Sequence, residues 1–137
     1  MQKITTFLMF NGKAEEAMNF YISLFGQAEI ISITHYGKND TGAEGTVMHA
    51  TFSLQGQQFM CIDSSATHGF SFTPAISLYV TCETEDEIDE LFVKLLQDGQ
   101  IFMPLAHYPF SEKFGWVSDK FGVTWQLNLV KNKTNGK

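Results

Sequence analysis

The chain contains no arginine: its nine basic residues are all lysines, set against fifteen acidic residues for a formal net charge of −6. Nucleic-acid backbones are held by clustered Lys and Arg, and bidentate capture of phosphate or carboxylate is arginine chemistry. No nucleic-acid partner is expected, and a strongly anionic phosphonate-like ligand is disfavoured unless lysine or a metal holds it. Cysteine is scarce too. Cys61 and Cys82 are the only two, each inside a strand-like apolar run and without CxxC spacing, which reads as buried free thiols in a reducing compartment. No apolar stretch reaches the ~18 residues of a membrane span. The start, Met1-Gln2-Lys3, runs into a strand pattern with no apolar leader, so a soluble, cytoplasmic protein without a membrane partner is expected. GxGxxG, Walker, GxSxG and Cys/His-cluster motifs are all missing, and with them the chemistries those motifs mark.

What the chain does have is core material: 137 residues, 44% hydrophobic, with 13 Phe, 4 Tyr and 2 Trp. Buried, each aromatic side chain contributes roughly 2 kcal/mol or more, so folding needs no metal or disulfide and any metal would be functional. One domain spanning residues 1–137 is the expectation. Residues 4–10 are β-prone, and Asn11-Gly12 breaks the strand ahead of a helix over 13–25. There Ala14, Ala17, Met18, Tyr21, Ile22 and Phe25 form one apolar stripe, closed by Gly26 as a C-terminal cap. Strands over 29–36, 46–54 and 58–63 follow. The order then returns: a strand over 75–82, an acidic helix opened by Thr84 and carrying Ile88, Leu91, Phe92, Leu95 and Leu96, then strands near 101–106, 115–118 and 123–130. Strand, helix and three strands, twice, is an internal repeat, with halves over about 1–66 and 72–130. The fold class is α+β, two βαβββ repeats forming curved mixed sheets with the helices on their outer face. The tail from Lys131 is polar and expected to fray.

Alternation sorts the strands into two faces. Met48, Ala50, Phe52 and Leu54 oppose Val47, His49, Thr51 and Ser53; Leu78, Val80 and Cys82 oppose Ser77, Tyr79 and Thr81; Val123, Trp125, Leu127 and Leu129 oppose Thr124, Gln126 and Asn128. The apolar faces suit the two amphipathic helices. The mixed face, to which Thr6, His49, Thr51, Ser77, Tyr79, Gln126 and Asn128 are assigned, is either simply solvated or lines a concave cavity for a small ligand if the halves curl toward each other.

The doubled βαβββ order, the segment Ala14-Glu15-Glu16-Ala17-Met18-Asn19-Phe20-Tyr21 leading to Leu24-Phe25-Gly26, and the ending Asp119-Lys120-Phe121-Gly122-Val123-Thr124-Trp125-Gln126-Leu127 resemble the vicinal-oxygen-chelate superfamily. Within it they look like the PhnB-like group, a single glyoxalase/bleomycin-resistance-like domain. The superfamily includes glyoxalase I, extradiol dioxygenases, an epimerase, fosfomycin-modifying thiol transferases and bleomycin-binding proteins, and its shared device is a divalent metal that chelates substrate oxygens. The resemblance places the metal-ligand positions at Thr6, His49, Ala75 and Gln126. That set offers one imidazole, an amide, a hydroxyl and a methyl group, whereas a catalytic divalent ion wants three strong ligands. No resident metal or other cofactor is expected, with a divalent metal kept as the alternative. The group is also labelled demethylubiquinone methyltransferase, but the chain lacks a glycine-rich nucleotide loop and is short for a doubly wound fold.

The candidate catalytic residue is His49, either a general base or polar-ligand anchor, or a hydrogen-bonded structural histidine. The candidate ligand-binding residues are Thr6, His49, Thr51, Ser77, Tyr79, Trp116 and Gln126. His35, His68 and His107 read as surface residues, Asp63 and Asp119 as turn residues, and Trp125 as core. Phe110, Phe114 and Trp116, beside the turn-rich stretch from Pro109, either close over an apolar ligand or serve a subunit interface. Three functions follow: a small-molecule binder acting as a homodimer, a metal-dependent lyase, isomerase or thiol transferase, or a structural dimer with a vestigial pocket.

Overall fold

The computed structural model describes residues 2–130. The described residues divide into two compact units, one up to Gly69 and one from Phe70. The first holds β1 (Thr6–Phe10), α1 (Ala14–Leu24), β2 (Ala28–His35), β3 (Val47–Leu54) and β4 (Gln57–Asp63). The second holds β5 (Ser77–Cys82), α2 (Glu85–Leu96), β6 (Gln100–Tyr108), β7 (Ser111–Ser118) and β8 (Thr124–Leu129). Each unit is one four-stranded mixed sheet, in the orders β1-β4-β3-β2 and β5-β8-β7-β6, with one parallel pair each, β1 with β4 and β5 with β8. The α+β class and the doubled βαβββ order are therefore as the sequence predicts. The backbone bonds Ser64 N–H to Phe10 O and Val130 N–H to Cys82 O, both 2.8 Å, fall at corresponding ends of the parallel pairs and align one repeat on the other.

The two helices start by different means. Thr84 Oγ1 accepts the Glu87 N–H at 3.1 Å and Glu87 Oε1 accepts the Glu83 N–H at 2.8 Å, a local cap of about 1 kcal/mol. Acidic Glu85, Asp86 and Glu87 in the first turn and Lys94 in the last complement the helix dipole. At α1 the N-cap is Lys13, which makes no side-chain cap bond. The capping oxygen comes from the far end of β4: Asp63 Oδ1 accepts the N–H groups of Gly12 at 2.7 Å and Ala14 at 3.0 Å, while Oδ2 accepts that of Val47 at 2.9 Å.

Ala14, Ala17, Met18 and Tyr21 are the buried stripe of α1, and the Tyr21 ring stacks on Phe52, which stacks in turn on Phe59. In the second unit Ile88, Leu91, Phe92 and Leu95 lie against a sheet face built by Val117, Trp125 and Leu127. Phe92 comes so close to β7 that a Cβ on Gly115 would sit 2.5 Å from its ring. The expected stop of α1 at Gly26 is shifted: the left-handed residue is Gln27, φ 51°, and its counterpart after α2 is Asp98, φ 57°. Gly99 is required by space instead, since a Cβ there would meet Ser118 O at 2.0 Å. β7 starts at Ser111, so the turn expected from Pro109 is the tight hairpin that joins β6 to β7.

Candidate functional site

The face of each sheet turned away from its helix carries the unassigned chemistry. In the second unit the pairing registers place Tyr79 of β5, Gln126 of β8, Trp116 of β7 and Met103 of β6 in one row across all four strands. Gly115 and Val117, the neighbours of Trp116, are buried on the α2 side, so Trp116 points the other way. Its indole N–H is buried and meets no acceptor among the described residues. The Phe102 ring packs beside the indole, centroids 5.1 Å apart. Gln126 is half-buried and Tyr79 exposed. Ser77 lies one row away, registered with Thr124. Thr124 donates its hydroxyl hydrogen to Ile76 O at 2.7 Å, so the 2.7 Å bond between the two hydroxyls is donated by Ser77. Three of the expected ligand residues, Tyr79, Trp116 and Gln126, thus stand in one row, and Ser77 shares their face.

The first unit differs. Aligned through the two parallel pairs, the row equivalent to Tyr79, Gln126 and Trp116 is Phe7, Met60 and Thr51. His49 shares this face, exposed, its ring 6.1 Å from that of Phe7. Thr6 does not. It registers with Phe59, whose partner Phe52 packs under Tyr21 of α1, so Thr6 belongs to the helix side of β1 with Leu8 and Phe10. The expected placement of Thr6 beside His49 is corrected by this one-residue register, and Phe7 and Met9, 50% and 38% exposed, occupy the face instead. A run of apolar residues over 7–10 carries no alternation from which the face could be read.

Ala75 is exposed and lies before β5, which begins at Ser77. The ligand positions implied by the resemblance therefore reduce to His49 and Gln126, with Thr6 turned away and Ala75 offering no donor atom. Among the described residues no three His, Cys, Asp or Glu side chains are grouped as a metal site requires. The donor set does not fit a chelated divalent ion.

The other candidates are structural. Asp119 opens the turn expected before β8, Asp63 ends β4, and both, each 2% exposed, also act as interior ties. Asp119 accepts the N–H groups of Phe121 and Val123 and, at 2.9 Å, the indole N–H of Trp125. His35 bonds Glu15 at 2.8 Å and His68 bonds Ser64 at 2.8 Å, both on the surface, and His107 is exposed. Both thiols are buried and unpaired with each other. Burial first, then the negative charge of Asp63 or Glu87, pushes each up to about 12, so neither is a nucleophile near neutral pH.

The family model described as 3-demethylubiquinone-9 3-methyltransferase matches residues 2–128. The chain belongs to that family. A PhnB protein from Bacillus cereus is 70% identical in sequence, with a TM-score of 0.93 over 94% of this chain and 100% of that one. Protein YjdN of Escherichia coli (strain K12) is 24% identical, covering 95% of this chain and 97% of its own. The glyoxylase/bleomycin resistance protein/dioxygenase domain from Frankia sp. EAN1pec, 14% identical with a TM-score of 0.66 over 97% of this chain and 95% of that one, shares the fold. The PhnB-like resemblance is thereby borne out, and the expected fold with it. Phe7, Met60 and Met103, missed in the sequence, complete the two faces; their only signal was their register with the polar candidates.

Proposed function

We propose that this family member is a small-molecule-binding protein that works without the chelated metal of its superfamily. The observation that carries the reading is the state of the inherited ligand positions, where Thr6 faces α1 and Ala75 has no donor, set against the polar row of Tyr79, Gln126 and Trp116. Neither Tyr79 nor Gln126 makes a side-chain hydrogen bond to a described residue, and the Trp116 indole N–H has no acceptor among them. Polar groups held on a rigid sheet and left without protein partners are what a binding face supplies. The family's methyltransferase description names an activity for which this chain has no nucleotide loop, and the reading takes nothing from it. His49 and Thr51 are the first unit's contribution, His49 as a polar anchor beside Phe7. The exposed Phe7 and Met9 support a homodimer, which light scattering tests directly.

Elemental analysis of the purified protein, with a calorimetric titration of Mn²⁺ and Zn²⁺ into wild type and His49→Ala, tests the central claim. Metal well below stoichiometric and no saturable step in either protein is expected. Near-stoichiometric metal lost on His49→Ala would overturn the reading and direct assays to glyoxalase-like lyase and thiol-transfer chemistry.

A further inference from the structure

We propose that Asn11-Gly12 is a covalent modification site, an asparagine held back from deamidation while the first unit is folded and released to it whenever the end of β4 parts from the start of α1. The inference stands apart from the ligand reading and uses none of its residues. Asparagine is a thermolabile residue, and a following glycine leaves it most open to this chemistry because no side chain stands beside the attacking nitrogen. Both residues are exposed and Gly12 holds φ 90°. Apart from its chain neighbours, no described residue comes within 4 Å of where a Gly12 Cβ would stand. Neither bulk nor burial shields the peptide. What holds it is a hydrogen bond on each flank: Phe10 O accepts the Ser64 N–H at 2.8 Å, and Asp63 Oδ1 accepts the Gly12 N–H at 2.7 Å.

Deamidation begins when the Gly12 amide nitrogen gives up its proton and bonds to Asn11 Cγ, and the side-chain nitrogen of Asn11 leaves as ammonia. Water then opens the cyclic imide at one carbonyl or the other, leaving aspartate or isoaspartate, with no oxidant or reductant involved. The proton that must leave first is the one Asp63 holds. Its removal would set an amide anion 2.7 Å from a carboxylate that is itself 2% exposed, and like charges that close oppose each other strongly. The tie therefore suppresses the reaction at its first step. It also makes the reaction one-way, since the imide has no N–H to return to Asp63, and isoaspartate adds a carbon to the backbone between Phe10 and Gly12. With the two flanks pinned to consecutive residues, Ser64 and Asp63, the longer backbone displaces one bond or the other.

Tryptic mapping reads the site alone, because peptide 4–13 contains Asn11 while the chain's other Asn-Gly pair, Asn135-Gly136, falls in peptide 134–137. In warm, mildly alkaline buffer, Asn11 of the full-length wild-type protein is expected to deamidate about tenfold or more slowly in the native state than in denaturing urea. As sub-denaturing urea is added, the native rate should rise in step with hydrogen exchange of the Gly12 amide. A native rate within about twofold of the unfolded one would overturn the protection. A slow native rate that does not follow Gly12 exchange would overturn the part assigned to Asp63. Neither measurement depends on a variant folding. The one-way consequence is read in Asn135→Gln protein, which keeps a single Asn-Gly pair: after ageing in urea and refolding, the fraction modified at Asn11 is expected to unfold at lower urea than the unmodified fraction. Coincident midpoints would show that the modified chain restores the tie and would sink that consequence.

Discussion

Asp63 is where a single side chain does most for the first unit. Its two oxygens accept three backbone N–H groups, from Gly12, Ala14 and Val47, and so join the end of β4 to the start of α1 and of β3. Removing it strands three donors in a site 2% exposed, and each unsatisfied group costs about 1–3 kcal/mol. Asp63→Ala should lose about 3 kcal/mol or more in urea unfolding, read as a lower midpoint with little change in slope. Asp119 plays a related part in the second unit through Phe121, Val123 and Trp125. Both aspartates were legible as turn residues; the tie made by Asp63 was not, because the donors it serves are up to 51 residues away in sequence, while those of Asp119 lie within six. The same limit applies to Trp116: its place beside the Pro109 turn marked it as a candidate, while its buried, unpaired N–H appears only once β6 and β8 flank it.

At the scale of the elements, the two helices make opposite predictions about capping. Thr84→Ala should destabilise by about 1 kcal/mol through the loss of one local bond at α2, whereas Lys13→Ala at α1 should change little because Asp63 supplies the oxygen there. Thermal melts of the two variants, with Asp63→Ala as reference, check the contrast. Gly115→Ala is the matching test of packing: the added methyl meets Phe92 at 2.5 Å, and forcing α2 away should cost about 1–3 kcal/mol. Elements with clear periodicity were legible, among them both helices, β3 and β8, whose alternation correctly sorted Ala50, Phe52, Trp125 and Leu127 to the core. β1 was not. Phe7, Leu8, Met9 and Phe10 are all apolar, and only pairing with β4 decides that Leu8 and Phe10 go inward while Phe7 and Met9 go outward. That single register moved Thr6 out of the candidate site and took one of the four inherited ligand positions with it.

Over the whole molecule, the scarcity of cysteine has a thermodynamic consequence, since each unit buries one thiol. Cys61 and Cys82 both have folded pKa values pushed up to about 12 from 9.0, by burial first and by Asp63 and Glu87 second. A group whose folded pKa is raised favours the native state fully below its unfolded value and loses that contribution as pH climbs through the folded one. The fold should therefore hold a plateau up to about pH 9 and weaken steadily toward pH 12. The rise from 9.0 to about 12 makes each thiol worth on the order of a few kcal/mol on that limb. Lys113 acts in the same direction, because its hydrogen bond to Asp89 raises its pKa and is lost on deprotonation. Urea midpoints measured between pH 7 and pH 11 on wild type and on the Cys61→Ala, Cys82→Ala double variant separate the contributions. The variant starts lower at pH 7, where two small cavities have been made, but its alkaline slope should be markedly shallower, with Lys113 contributing to what remains. If the two slopes coincide, the thiols are not held from water as the buried positions require, and a thiol reagent would then modify the native protein rapidly instead of only after denaturation.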